Sequence, residues 1–515
     1  MRAIRAAARF ILPLGAPEPW DIRPLRFPEV FAFLGNASLL VLELVAGRVL
    51  APTVGVSLYT WTAVIGVVLA GVSLGNYLGG QLADRWPSRS ALALVYAAGS
   101  LASVTVLGLV RYVDSLQLPS GAPAILQVLW LTTVLFFLPS TCMAAATPLL
   151  TRLALRSVAE GGRVVGGIQA AAALGSITGT FLAGFVLISA FGTRRIVAGV
   201  AVTLLVLAVA ARPPWLRRRL IELGCLLAAI VALGWTSHSS CLRESNYYCI
   251  RVDERSLVRE RPGQYRGLYL DHLLHGVVDL NDPSYLYYGY ERLYARAIEK
   301  LHPRGARVDA FVLGGGSYTF PRWLERRHRG RILVAEIDPE VTRVVRSRLG
   351  LERASRIETR NADARRVLRE LPAGERFDLV LGDAFDDFSV PYHLTTRQFN
   401  ELVARHLQPG GLYLANVIDS VHFDFLRSEL RTLRLTYPYV ALMSEPDDWP
   451  VARERRATYV VVAAKRVPSR ALPVLPAREV DAFVAHGHSV VLRDDYAPVD
   501  QLLAPVFAQK LHVRD

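Results

Sequence analysis

The first half of the chain is a series of long apolar segments separated by short polar loops. A helix rises about 1.5 Å per residue and the hydrocarbon core of a bilayer is roughly 30 Å thick, so about 20 apolar residues are enough to cross it. The pattern predicts a polytopic α-helical membrane bundle of about seven spans, of which the last two are the shortest. The predicted spans are Val30–Leu50, Tyr59–Leu82, Ala91–Val110, Ala122–Ala146, Val164–Phe191, Ile196–Ala210 and Leu220–Trp235.

The second half mixes charged and apolar residues as a soluble α/β protein does. Between Tyr247 and Leu280, short β-prone runs alternate with turn residues, which predicts a small antiparallel sheet. From Arg307 onward, buried strands, glycine turns and helical segments such as Thr396–His406 and Phe423–Leu433 follow one another. This order predicts a mostly parallel, doubly wound Rossmann-like sheet. The predicted domains are a basic N-terminal tail (1–28), the transmembrane bundle (29–236), a small β-rich subdomain (237–300) and the Rossmann-like domain (301–515).

Two sets of glycines recur at four-residue spacing within the apolar segments. The first set is Gly71, Gly75 and Gly79, and the second is Gly175 and Gly179. Small residues at this spacing let helix backbones approach closely in lipid. We therefore interpret them as helix-packing positions rather than as a substrate path.

Positive charge is concentrated on one side of the predicted bundle. The net charge is +14, and most arginines between the spans fall in alternate loops, which predicts a cytoplasmic N-terminus. Contact with acidic phospholipids of the bilayer accounts for this charge. We exclude nucleic acid as a partner, because the sequence has no module of interleaved aromatic and basic residues. Glu43 lies within the first span, where it either pairs with Arg48 or serves a function.

A glycine turn and several acids follow four successive predicted strands. The glycines come after the first strand, where missing side chains let a ligand approach the backbone. One pair of acids ends the second strand, one acid follows the third and another ends the fourth. Ligands bind at the carboxyl ends of the strands in such sheets, and a carboxylate there can accept the hydroxyls of a ribose. This order predicts an adenosyl-binding cleft, and the candidate residues are Gly314, Gly315, Gly316, Glu336, Asp338, Asp363 and Asp383.

Several short motifs carry a resemblance to a known family. From about Tyr247 to Ala464 the chain resembles the spermidine synthase (aminopropyltransferase) family, within the class-I methyltransferase fold. The apolar half, with L-E-L-V-A-G-R at Leu42–Arg48, resembles the membrane-fused spermidine synthase-like proteins of bacteria. The motifs of the second half are E-S-N-Y-Y-C-I-R-V, L-Y-L-D-H, V-L-G-G-G, A-E-I-D, N-A-D-A-R, L-G-D-A-F-D-D, V-P-Y-H-L-T-T-R-Q-F and L-Q-P-G-G-L.

The resemblance implies an enzyme that transfers an aminopropyl group from decarboxylated S-adenosylmethionine to an amine or polyamine, without a metal. The glycine turn and Glu336, with Asp338 beside it, would hold the tail and ribose of the donor, and Asp363 would face the adenine. Asp383 matches the acid that takes the proton of the attacking amine, as a general base does. Asp386 matches a second acid that binds this amine. The resemblance leaves a homodimer open.

The chain also departs from the family at the site. Ser317 and Tyr318 stand where the glycine turn of the family has Asp and Gly. His275 stands in place of a Gln and is either a base or a hydrogen-bonded residue of the sheet, and Tyr288–Glu291 replaces the segment Y-H-E. We expect His275 and Tyr288 to bind the substrate. Because the lost acid would pair with a cationic donor tail, the donor could also be S-adenosylmethionine itself.

Two alternatives to aminopropyl transfer follow from these departures. The first is an S-adenosylmethionine-dependent methyltransferase with the same pocket. The second is a catalytically silent nucleoside-sensing or transport-associated membrane protein. Asp383 and Asp386 argue against silence, because folding does not require two acids there. Asp363 and Asp387 have a further alternative, in which they only cap helices.

The side of the cell membrane on which the second half lies depends on the number of spans. Seven spans after a cytoplasmic N-terminus place it outside, where Cys241 and Cys249 could form a disulfide rather than remain free thiols. Six spans, with Leu220–Trp235 in the interface, place it in the cytoplasm, where adenosyl donors are made. The charge count favours the outside, and the supply of the donor favours the cytoplasm.

Overall fold

The computed structural model describes residues 25, 27–54, 58–110, 112, 124–211, 224–225, 241–254, 263–271, 273–352, 354–384, 390–420, 422–446, 449 and 457–506. The chain divides into two compact units, one formed mainly by the residues before 240 and the other by those from 240 onward. The first unit is helical, and the second combines helices with two β-sheets.

The first unit is built from long apolar helices. They are α1 (Pro28–Val54), α2 (Leu58–Arg85), α3 (Arg89–Leu109), α4 (Ala124–Thr132), α5 (Leu138–Ala144), α6 (Ala146–Ala154), α7 (Gly161–Leu182) and α8 (Ile188–Ala211). Because α4, α5 and α6 follow one another in a single stretch, the described residues contain six stretches that are long and apolar enough to cross a bilayer. They confirm helices at the first six predicted spans. The seventh, Leu220–Trp235, lies outside the described residues except for 224 and 225.

The glycines at four-residue spacing lie where two helices approach closely, as predicted. A methyl group added at Gly75 or Gly79 would collide with the backbone carbonyl of Thr141 or Ala145. A side chain at Gly71 would meet Ser140 in the same way. On α7, Gly175 and Gly179 leave room for the carbonyl groups of Phe33 and Ala37 on α1, respectively. Because these glycines have no side chains, the backbones of the neighbouring helices can touch.

A small antiparallel sheet opens the second unit, as the β-prone runs predict. Its strands are β1 (Arg243–Glu244), β2 (Cys249–Asp253), β3 (Tyr265–Leu270) and β4 (Leu273–Asp279). They pair in chain order. Cys241 and Cys249 are joined by a disulfide, which is the first of the two alternatives for this pair. The bridge ties the residues before β1 to the beginning of β2.

The main sheet of the second unit has seven strands in the described residues. They are β5 (Ala310–Leu313), β6 (Ile332–Ala335), β7 (Ile357–Arg360), β8 (Phe377–Gly382), β9 (Leu407–Asp419), β10 (Tyr439–Met443) and β11 (Ala457–Ala464). Their order across the sheet is β10–β11–β9–β8–β5–β6–β7, and β5 to β9 are parallel to their neighbours among these five. The chain runs from β5 outward to β7 and then returns to β8, so the strand order reverses between β5 and β8. A doubly wound sheet binds its ligands at such a switch point.

Helices cover both faces of this sheet. They are α9 (Gly289–Leu301), α10 (Thr319–Arg327), α11 (Pro339–Arg348), α12 (Ala364–Glu370), α13 (Arg397–His406), α14 (Asp424–Leu433), α15 (Ala477–Ala485) and α16 (Val499–Leu502). Successive strand residues point to opposite faces, so Phe311 belongs to the core under α12 to α16 and Val312 to the core under α9 to α11. The two predicted helical segments are confirmed as α13 and α14. Thr396 caps α13 by accepting a hydrogen bond from the backbone N–H of Phe399.

The close packing of α7 on α1 gives a stability prediction. We expect Gly175→Ala to lower the free energy of unfolding by about 1–3 kcal/mol, because the new methyl group meets the carbonyl group of Phe33. Gly166→Ala, on the same helix with open space at its Cβ position, is the matched control and should be neutral or stabilising by up to about 1 kcal/mol. Thermal unfolding of the detergent-solubilised protein measures both. Equal effects of the two variants would contradict the packing interpretation.

Candidate active site

The site forms where the carboxyl ends of β5 and β8 lie side by side. Gly314 follows β5 with a φ of 87°, in the left-handed region that favours glycine. A side chain at this position would collide with the backbone carbonyl of Asp383, which follows β8. The glycine turn therefore permits the approach of the two strand ends, and this approach positions Asp383.

Glu336 follows β6 and closes the glycine turn from the other side. One of its carboxylate oxygens accepts a hydrogen bond from Gly315 N at 2.8 Å, and the other accepts one from Asp338 N at 2.9 Å. The side chain is buried. Withdrawal from water raises the pKa of Glu336, and the backbone hydrogen bonds partly oppose this shift. The carboxylate is thus held rigidly, with lone pairs left for a ligand.

Asp338 does not have the position that we predicted. Its side chain is fully buried and lines neither of the two cavities described below. One oxygen caps α11 by accepting from Glu340 N at 2.9 Å, and the other accepts from the hydroxyl of Ser245. One oxygen is therefore used to cap α11 and the other to hold the segment before β2 to the main sheet. Asp338 is a helix cap, because the residue before a helix that begins with proline is a favoured capping position.

Asp363 caps a helix and also faces a cavity. One oxygen accepts from Arg366 N at 2.9 Å in the first turn of α12. The other lies 2.7 Å from Nε2 of His393. The hydrogen bond with His393 lowers the pKa of Asp363, so this carboxylate is ionised at neutral pH. The capping role does not exclude the predicted binding role, since Asp363 and its partner His393 both line the first of the cavities described below.

The three acids predicted to bind together do line one cavity, which we call the first cavity. Glu336, Asp363 and Asp383 lie in its wall, together with Gly314 and Gly316. Apolar and aromatic side chains complete this wall. They include Tyr248, Leu270, Ile337, Pro391 and Leu394. The first cavity therefore combines flat apolar surface with fixed acceptors for hydroxyl and amino groups, which suits a nucleoside.

A second cavity adjoins the first. The two cavities share His275, Gly314, Gly316 and Asp383 in their walls. The second cavity is also lined by residues of α9 and by the residues that follow the glycine turn. They include Tyr290, Glu291, Tyr294, Ser317 and Thr319, and the wall is completed by residues such as Tyr288, just before α9, and Asn416 of β9. Asp383 thus stands at the junction of the two cavities.

Asp383 is held in place by two hydrogen bonds. Tyr290 donates its hydroxyl to one carboxylate oxygen at 2.9 Å, and Asn416 donates its amide to the other at 2.8 Å. Withdrawal from water raises the pKa of Asp383, and the two hydrogen bonds act in the opposite direction because they stabilise the ionised form. A carboxylate with a raised pKa is a better proton acceptor than an ordinary surface aspartate.

A second carboxylate in this cavity, which is buried, was not among the predicted site residues. Glu291, in the first turn of α9, accepts hydrogen bonds from the hydroxyl of Thr319 and from Tyr288 N. Burial raises the pKa of Glu291 to about 7. The sequence signal was the acid of the segment that replaces Y-H-E, but a single acid near a helix N-terminus is more often a cap.

Two of the three residues predicted to bind the substrate line the cavities. His275 lies in the walls of both cavities, and its ring is 6.4 Å from that of Tyr248. Tyr288 lines the second cavity, but its hydroxyl donates to Leu274 O at 2.5 Å. Asp386 lies outside the described residues. Its role as a binding acid stays a prediction.

The altered turn has a structural explanation at one of its two positions. Tyr318, where the family has Gly, has a φ of 58°, which costs a bulky residue of order 1 kcal/mol or more. Its side chain is fully buried, and its hydroxyl lies 3.2 Å from the hydroxyls of both Thr342 and Thr359. These contacts offset the strain in the backbone.

Comparisons with known proteins give relatives in one family. No family model matches the chain. A polyamine aminopropyltransferase of Mycobacterium tuberculosis is 31% identical over 303 residues, covering 52% of this chain and 55% of the relative. Another, of Corynebacterium efficiens, is 25% identical over 354 residues, covering 64% of each chain. A probable spermidine synthase from Corynebacterium glutamicum ATCC 13032 is similar in structure, with a TM-score of 0.43 and 23% identity over 50% of this chain and 97% of that one.

These matches cover only part of each relative, and one of them includes part of the apolar half of the chain. The chain covers less than two thirds of each of these two curated relatives. The match to the Corynebacterium efficiens protein is longer than the residues after 240 could supply alone, so it extends into the apolar half. Over these matched residues, the chain is thus similar in sequence to bacterial polyamine aminopropyltransferases, whose family its motifs resemble.

Proposed function

We propose that this protein transfers an aminopropyl group from an adenosyl sulfonium to an amine or polyamine. The observation that carries the proposal is the position of Asp383 between the two cavities. A nucleoside in the first cavity would place its sulfur near this junction. The alkyl chain on that sulfur and the incoming amine would then share the second cavity with Asp383.

The residues of the chain have distinct tasks in this reaction. The donor supplies a carbon made reactive by the neighbouring positive sulfur. Glu336 accepts the ribose hydroxyls, and Asp363 orients the base. Asp383 attracts the amine and takes its proton as the new C–N bond forms, while the C–S bond breaks and its electron pair stays on sulfur. Holding both reactants in line accounts for much of the remaining acceleration.

The second cavity favours aminopropyl over methyl transfer. A methyl group needs no room beyond the sulfur, whereas a three-carbon chain needs a separate space. The second cavity supplies such a space next to Asp383, and three tyrosines and two acidic residues line it. The names of the curated relatives support the same choice.

We further propose that the first unit holds this enzyme in the cell membrane. Three observations support this: the six apolar helical stretches, the arginines in alternate loops, and a relative whose match extends into the apolar half. The Cys241–Cys249 bridge favours seven spans, which place the second unit on the oxidising outer side. The supply of donor favours six spans, which place it in the cytoplasm. A cysteine at the exposed position Ser469, probed with a membrane-impermeant thiol reagent in intact cells, distinguishes the two.

The products identify the reaction. We expect the purified full-length protein, given decarboxylated S-adenosylmethionine and a panel of polyamines, to release methylthioadenosine. Asp383→Asn should lower kcat by about 10²- to 10⁴-fold, because it removes the proton acceptor, and should still bind methylthioadenosine. Asp481→Asn, at an exposed acid on α15, is the control with unchanged rate. Release of adenosylhomocysteine from S-adenosylmethionine would instead identify a methyltransferase.

The hydrogen bond from Tyr290 gives a pH dependence. Asp383 must be ionised to accept a proton, and its pKa is raised, so kcat should rise with pH through that raised pKa. Tyr290→Phe removes a bond that stabilises the ionised form, and we expect the acidic limb to move up by about one pH unit. In Tyr294→Phe the lost hydroxyl contacts a backbone carbonyl instead, at 3.5 Å, and the limb should stay in place. A limb that is the same in all three proteins would show that Asp383 does not take the proton.

A further inference from the structure

The charge of the second cavity is carried by two carboxylates. Glu291 and Asp383 both lie in its wall, and among the described residues that form this wall there is no lysine or arginine. In the described part of the chain the hydrogen-bond partners of Glu291 are neutral groups, Thr319 and the backbone N–H of Tyr288. A buried carboxylate either takes up a proton or is paired with a cation. The described wall therefore offers two carboxylates and no cationic side chain to pair with them.

The two carboxylates have different surroundings. Asp383 receives one hydrogen bond on each oxygen, from Tyr290 and Asn416, and stands at the junction with the first cavity. Glu291 lines only the second of the two cavities. Its partner Thr319 lies 3.3 Å from the hydroxyl of Ser317, which follows the glycine turn. Glu291, Thr319 and Ser317 thus belong to the part of the second cavity that the first cavity does not share.

Aminopropyl transfer brings two nitrogen atoms into this cavity, and they need different charges. The attacking amine must be neutral when it reacts, and Asp383 at the junction takes its proton. The amine at the end of the donor chain does not react and remains an ammonium ion. Three carbons separate that ammonium from the sulfur, so it lies beyond the junction, within the part of the cavity that Glu291 lines.

We propose that Glu291, oriented by Thr319, binds the ammonium group of the donor chain and makes the site selective for a decarboxylated donor. This inference rests on the proposed function. S-adenosylmethionine carries a carboxylate beside the same ammonium, and a carboxylate has no cationic partner in the described wall of this cavity. Repulsion between it and Glu291 disfavours the larger donor. Glu291 then supplies the charge that the family has at the position of Ser317.

Binding of unreactive thioethers tests this assignment without requiring turnover. Three probes share one nucleoside: methylthioadenosine has no charged chain, 3-aminopropylthioadenosine has the ammonium, and adenosylhomocysteine has the ammonium and the carboxylate. Calorimetry on the full-length protein in detergent gives a Kd for each. We expect the aminopropyl compound to bind about ten- to a hundredfold more tightly than methylthioadenosine, and adenosylhomocysteine to lack this advantage.

Two variants locate the group responsible. In Glu291→Gln, the aminopropyl compound should bind no more tightly than methylthioadenosine, and its Kd should differ less from that of adenosylhomocysteine than in the wild type. The Kd for methylthioadenosine should stay within about twofold of the wild-type value. A merely structural role would weaken all three probes alike. Asp383→Asn, the matched control in the same cavity, should keep the advantage.

Each other outcome has a definite meaning. If the wild-type protein binds none of the three nucleosides, the proposed function itself fails. If it binds methylthioadenosine and the aminopropyl compound equally, only the role of Glu291 fails. The proposal is overturned if the aminopropyl compound keeps its tighter binding in Glu291→Gln or loses it in Asp383→Asn, and the second result assigns the ammonium to Asp383. If Glu291→Gln does not fold, Asp383→Asn decides alone, because retention of the advantage supports Glu291 and its loss contradicts it.

Discussion

The close approach of Gly314 to the backbone of Asp383 is the constraint on which the site depends. A parallel sheet sets its strands about 4.8 Å apart, and the chain turns away from β5 and β8 in opposite directions at the switch point. Only a residue without a side chain lets the two strand ends meet there. The same contact brings Asp383 to the junction of the two cavities, so the geometry of the backbone sets the position of the reacting carboxylate.

The chemistry follows from how each acid is solvated. Asp363 pairs with His393 and stays ionised, and Glu336 is fixed by backbone N–H groups. Asp363 therefore keeps a constant charge, and the backbone N–H groups fix Glu336 in one orientation, which suits both acids to binding. Asp383 is partly buried and Glu291 fully buried, their hydrogen-bond partners in the described part of the chain are neutral groups, and their pKa values are raised. Acids of this kind respond most to an arriving cation, because its charge replaces the water that they have lost.

The sequence predicted the large features because they depend on repeated patterns. Runs of about 20 apolar residues gave the helices of the first unit, and strand–turn–helix repeats gave the sheet with its glycine turn. Asp338 was predicted to bind the ligand because an acid at the end of a strand is also an acid before a helix, and only its hydrogen bonds with Glu340 N and Ser245 show that it caps α11. The partners of Asp383 were missed because Tyr290 and Asn416 are 126 residues apart along the chain, and no local pattern connects them.

Ser317 and Tyr318, which replace the Asp and Gly of the family's turn, act together. Tyr318 fills the space below Gly315 with a ring, and its hydroxyl is held by Thr342 and Thr359. This anchors the beginning of α10, where Thr319 then presents its hydroxyl to Glu291. The hydroxyl of Ser317 lies 3.3 Å from that of Thr319. An aspartate at position 317, as in the family, would instead add a second carboxylate near Glu291. Two buried carboxylates this close would repel each other and one would be protonated. The carboxylate of Glu291 on α9 is therefore compatible with a neutral residue at position 317.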